Sequence, residues 1–129
     1  MAYQFKEIEQ NIFLIECTGE VTMQEFEELT QESAKFASSL GFESNKHIVI
    51  FDMRKAFLRD LNISTLLKGA SLPPVPECTI ILPNPSKQMT NSIARFVLNL
   101  AKQNLLIATS YDHALKLAEK RLDNLRMRR

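Results

Sequence analysis

Residues 47–69 read HIVIFDMRKAFLRDLNISTLLKG, and the fold turns on how this stretch is parsed. Ile48, Val49, Ile50 and Phe51 form a β-branched and aromatic run that stops at Asp52. A run of that kind predicts a strand over 47–52 buried on both faces, within a sheet covered by helices on either side. Polar residues follow and predict a loop. Asp60 then stands where an N-cap belongs, ahead of Ile63, Leu66 and Leu67 at helical spacing. Gly69 and residues 73–76, PPVP, end that helix and impose an extended connection. In sheets of this type, ligands and partners are held at the carboxyl ends of the strands. The stretch marks a place; it names no reaction.

Upstream, residues 3–8 alternate weakly and predict an edge strand, with Asn11 as a turn residue. Residues 11–18, NIFLIECT, predict the next strand. Thr22 and Glu25 then have the spacing of a capping box. Phe26, Leu29, Ser33, Phe36, Ala37 and Leu40 follow at helical spacing, and Gly41 is a natural stop. Downstream, residues 78–82, CTIIL, predict a second buried strand closed by Pro83 and Pro85. Thr90 caps a third helix carrying Ile93, Phe96, Val97, Leu100 and Ala101. Residues 105–109, LLIAT, predict the last strand. Ser110 caps a final helix with Leu115, Ala118, Leu122 and Leu125 on one side. The order β-β-α-β-α-β-α-β-α predicts an α/β fold: a mostly parallel sheet with right-handed crossovers, flanked by helices, in one domain over residues 1–129.

The chain has 129 residues, 45% hydrophobic and 24% charged, a composition that builds a core without metals or disulfides. Three glycines leave little material for a glycine-rich phosphate loop. Net charge is +1, unevenly spread. Residues 1–44 hold nine glutamates against Lys6 and Lys35, whereas residues 86–129 hold nine lysines and arginines against three acids. The plain reading is solvated helix faces that attract each other across the fold; the sharper one is self-association, as a homodimer or head to tail, or a charged partner. The basic residues lack the interleaved aromatics that stacking on bases requires, so no nucleic acid is expected. Cys17 and Cys78 sit inside apolar runs and read as reduced core residues of a cytoplasmic protein. No apolar stretch reaches the roughly 20 residues of a membrane span.

These residues and their order resemble the SpoIIAA-like fold of STAS domains. In that family a strand ending in Asp-Leu-Ser leads to an Asp-Ser-Ser-Gly turn that opens the second helix. Here Phe51-Asp52-Met53-Arg54 occupies the first place and Asp60-Leu61-Asn62-Ile63 the second. Ser110-Tyr111-Asp112-His113-Ala114-Leu115 resembles the family's last strand-to-helix junction. The resemblance implies the scaffold and a regulatory role in binding proteins. It does not carry the phosphoswitch, because Asn62 stands where the phosphorylatable serine of anti-sigma-factor antagonists would be, and Asn accepts no phosphate. Ser64 and Thr65 lie one turn into the helix, where a phosphate would disturb rather than switch.

The chemical candidates are few. Asp52 and Asp60 form a carboxylate pair or, more plainly, a strand end and a helix cap. His47 and His113 lack metal-ligand spacing and read as solvated, so no metal or cofactor is expected. Arg54, Lys55 and Arg59 frame the predicted loop beside a helix N-terminus, an arrangement that can hold an anion, a nucleotide or a lipid headgroup. Phe57 and Leu58 are apolar where a loop should be polar: they tuck beneath it as core or form a contact patch. Asn84 and Ser86 end the neighbouring strand at the same edge. The leading expectation is a non-enzymatic regulatory or protein-interaction module that binds a protein partner through residues 53–65. The alternative is small-ligand binding at the same place, and a weaker third is an enzyme using Asp52 or Asp60 as base.

Overall fold

The computed structural model describes residues 2–58, 72–85 and 105–127. Strands β1 (Ala2–Glu9) and β2 (Ile12–Val21) form a hairpin, followed by helix α1 (Met23–Ser39). Strands β3 (Ile48–Leu58), β4 (Cys78–Leu82) and β5 (Leu105–Ile107) come next, and helix α2 (Tyr111–Met127) closes the order. One five-stranded sheet runs β1-β2-β3-β4-β5. Its hairpin is antiparallel and its other three pairings are parallel. The mostly parallel sheet is the expected one, and the helices expected after Asp60 and Thr90 lie outside the described residues.

Local chemistry explains the elements. Asn11 turns the hairpin with φ 68°, in the left-handed region that Asn tolerates better than most residues. Thr22 and Glu25 make the expected capping box, each side chain within 3.2 Å of the other's backbone N–H. At the far end of α1 the Gly41 N–H donates to the Ser38 carbonyl and the Phe42 N–H to the Ala37 carbonyl, both at 3.0 Å. This paired closure needs a left-handed residue, and Gly41 supplies it at φ 74°. Ser110 caps α2 by accepting the His113 N–H at 3.1 Å.

The strands alternate between two cores. Phe13, Ile15, Cys17, Val49, Phe51 and Met53 pack with Phe26, Leu29 and Ala37 of α1. Ile12, Leu14, Ile48, Ile50, Ile80 and Leu82 pack with Ala114, Ala118 and Leu122 of α2. The run at 48–51 is therefore apolar throughout because both its faces are covered. Cys17 and Cys78 belong to opposite cores and are free thiols. Burial pushes the Cys17 thiol up to about 12 and that of Cys78 up to about 11.

Four expectations change. The strand that opens near residue 48 does not stop at Asp52 but continues to Leu58, because β2 also extends, to Val21, and offers 55–58 a ladder. The last strand is shorter than 105–109: it ends at Ile107, and Ala108 only adds one bond to the Ile81 carbonyl before the cap of α2 begins. His47 is buried, at 1% exposure, not solvated. Finally, α1, with Glu25, Glu27, Glu28 and Glu32, lies on the face opposite α2, with Lys116, Lys120, Arg121 and Arg126. Their axes are roughly 20 Å apart, more than two screening lengths at physiological salt, so these helices attract each other weakly.

Candidate functional site

The carboxyl end of β3 is shaped by a bulge. Glu16 of β2 pairs with Asp52, and Thr18 pairs with Lys55. One residue of β2, Cys17, thus opposes two of β3, Met53 and Arg54. The extra residue resets the alternation. Met53 and Ala56 both stay buried in the α1 core, three positions apart, while Arg54 and Lys55 are consecutive and exposed. Beyond the bulge Lys55 and Phe57 share a sheet face with their register partners Thr18 and Glu20. Phe57 is 53% exposed, unusual for a large apolar side chain on a strand.

Asp52 and Arg54 are engaged with each other. The Arg54 guanidinium donates to both carboxylate oxygens, Nε to Oδ1 at 3.0 Å and Nη2 to Oδ2 at 2.9 Å, and the Arg54 backbone N–H donates to Oδ1 at 3.1 Å. Burial by itself pushes the Asp52 carboxyl up. The guanidinium, the backbone N–H and the nearby charge of Lys55 outweigh it and hold the group below its ordinary value. A carboxylate held ionised by a bidentate arginine is the opposite of a base with a raised pKa. The Asp52 hydrogen bonds in turn push the Arg54 guanidinium pKa up against its partial burial, with help from the charges of Asp52 and Glu16. Lys6 reaches Glu16 at 3.1 Å, so two ion pairs, Lys6–Glu16 and Arg54–Asp52, offset the two carboxylates that the β2–β3 register sets opposite each other.

Asn84 is buried and structural. The β3–β4 ladder ends where Asp52 meets Leu82, and past that point the Asn84 Nδ2 donates to the Ala56 carbonyl at 3.0 Å. The side chain thereby continues the ladder across the bulged strand. Among the expected site residues, Asp52, Arg54, Lys55, Phe57 and Asn84 gather at one end of the sheet. Arg54, Lys55 and Phe57 sit in the strand and not in a loop, and Leu58 ends it. Arg59, Asp60, Asn62, Ser86, Ser64 and Thr65 lie outside the described residues. Thr18 and Glu20 were missed by sequence reasoning. The signal was there: buried Cys17 and Val21 flank Thr18, Gly19 and Glu20 with the alternation of a continuing strand.

No group of three or more metal-ligating side chains occurs among the described residues, and no described helix is long and apolar enough to cross a membrane. His113 serves the start of α2, where its Nδ1 accepts the Thr109 N–H at 3.0 Å.

The class is thus a mixed α/β fold with helices on both faces of a mostly parallel five-stranded sheet, and it is SpoIIAA-like. The chain is similar to the anti-sigma factor antagonist SpoIIAA in its unphosphorylated form, with TM-score 0.55, 15% identity, and coverage of 97% of this chain and 98% of that one. It is similar also to the Bacillus cell fate determinant SpoIIAA in the phosphorylated form, with TM-score 0.55, 17% identity, and coverage of 90% and 99%. No protein-family model matches the chain. No curated protein matches it in sequence. At these identities the likeness is one of fold.

Proposed function

We propose that this chain is a non-enzymatic regulatory module of the STAS kind that binds a protein partner through the carboxyl end of β3 and the residues that follow, 53–65. The observation that carries the proposal is Phe57, an aromatic ring left half in water on a strand fixed by ladder bonds, with Lys55 on the same face. Aromatic side chains, Phe among them, are enriched at the cores of interfaces, where a few anchors carry most of the binding energy. The SpoIIAA-like fold supports the reading, because the solved neighbour is described as an antagonist of an anti-sigma factor. Leu58, Arg59, Asp60, Asn62 and Ser86 belong to the same surface in this proposal. Asn62 makes it a module without the phosphoacceptor serine. Residues 1–129 act as one domain, in the cytoplasm.

The competing reading, an anion, nucleotide or lipid held by Arg54, Lys55 and Arg59, loses Arg54 to Asp52. The two readings separate in one comparison. Phe57→Ala is expected to weaken capture of the partner at least about tenfold, as a hot-spot truncation does, with the circular-dichroism spectrum unchanged. Full capture by that variant, together with a thermal shift on adding inorganic phosphate, a nucleotide or acidic lipid vesicles, would favour the ligand reading instead.

A further inference from the structure

We propose that His47 is a pH-operated latch at the amino end of the sheet, whose neutral ring holds the 43–47 segment and, through it, the 75–77 segment in place. The ring lies between Phe13 and Phe42, with centroids 6.1 and 5.3 Å away, and the residue is 1% exposed. Its Nδ1 sits 2.8 Å from the Glu43 carbonyl oxygen. A carbonyl only accepts, so Nδ1 carries the proton and Nε2 is bare in the neutral ring. Nε2 is buried and has no hydrogen-bond partner among the described residues.

A second proton, taken from solvent, would go onto Nε2. It would place an N–H donor and a full positive charge among aromatic rings with nothing to accept from it, which is costly unless the segment opens. The elements around the ring offer little relief. β2 presents Phe13 and the turn after α1 presents Phe42. The charged groups of the flanking segments are Glu43, Lys46 and Glu77, and the first two pair with each other at 2.9 Å. What acts on the ring is burial, which pushes its pKa below the ordinary histidine value, opposed by the Glu43 carbonyl.

The segment that would open is a hub. The Asn45 N–H donates to the Val75 carbonyl at 2.7 Å, and the Val75 N–H donates to the Ser44 hydroxyl at 3.0 Å. The Glu77 N–H donates to the His47 carbonyl at 2.8 Å, carrying the β3–β4 pairing one residue beyond the strands. Glu43 and Lys46 also line an open groove of about 680 Å³ with Asn11, Leu125 and Arg126. Release of the latch would therefore reshape this groove, at the end of the sheet opposite Phe57.

The test is an NMR titration of the full chain between about pH 7.5 and about pH 5, following the His47 ring nitrogens and the amide protection of Asn45, Val75 and Glu77. Between the ring's pKa in the closed and open states, protection corrected for intrinsic exchange is expected to fall up to about tenfold per pH unit, in step with ring protonation. His47→Phe, which keeps the ring packing without a titrating nitrogen, is expected to remove that dependence. His47→Gln serves the same purpose should the Phe variant not fold. A ring that gains its second proton with the three amides still protected overturns the proposal. So does an unchanged pH dependence in either variant.

Discussion

Asp52 shows how one neighbour decides the chemistry of a residue. Placed at a strand end beside a loop, it would be a candidate base; placed two residues from Arg54 on a bulged strand, it becomes the anchor of a guanidinium. Because its carboxyl is held below the ordinary value of 3.8, it binds protons less readily folded than unfolded. The pair therefore contributes stability above about that pH, and the contribution is lost as pH falls through the folded value. Asp52→Asn is expected to lower stability at neutral pH by about 1 kcal/mol, a modest figure because Arg54 is half in water. It should also flatten the acid limb of the denaturation profile below pH 4. Urea unfolding across that range checks both; a variant whose curve overlays the parent would show that the pair contributes nothing.

At the scale of an element, α1 is defined by its two ends as much as by its apolar stripe. Thr22 occupies the orphan amide of Glu25, and Gly41 adopts a conformation that a Cβ disfavours even though open space surrounds it. Each of Thr22→Ala and Gly41→Ala is expected to cost about 1 kcal/mol, the first from a lost cap and the second from backbone strain alone. Because the two ends are far apart, the double variant should show the sum. Chemical denaturation midpoints decide it. A Gly41→Ala protein as stable as the parent would mean that the helix end relaxes out of the left-handed region. The bulge in β3 is the other defining device: it makes neighbours of Arg54 and Lys55 on the outside while Met53 and Ala56 stay inside.

For the whole molecule the titrating groups set a stability plateau. His47 prefers to be neutral in the fold, so its contribution is complete above its ordinary value of 6.5 and declines as pH falls below it. The thiols of Cys17 and Cys78 prefer to stay protonated, so their contribution is complete below the ordinary value of 9.0 and is lost as pH rises through about 12 and about 11. Maximum stability is expected between these limits, with acid loss in two stages, His47 first and Asp52 later. Thermal melts at a series of pH values would reveal the stages; a single transition near pH 4 would remove His47 from the account. Thiol-modifying reagents should react with neither cysteine until the protein unfolds, since one lies in each core.

Periodicity and end signals determined much of this protein. The capping box at Thr22, the stop at Gly41, the continuous apolar run at 48–51 and the stripe on α2 are local facts of sequence, and each is as expected in the structure. The SpoIIAA-like architecture follows from them, because strands and helices that alternate in that order have few ways to pack. Only the tertiary structure decided where β3 ends, since its last four residues are held by partners on β2 more than thirty positions earlier. It also decided that Asn84 would serve as a ladder rung, that Arg54 would be occupied by Asp52, and that His47 would lie between two phenylalanines. The physical reason is the same in each case. Register and burial are set by residues distant in the chain, and a polar side chain takes its role from whichever partner the fold brings within reach.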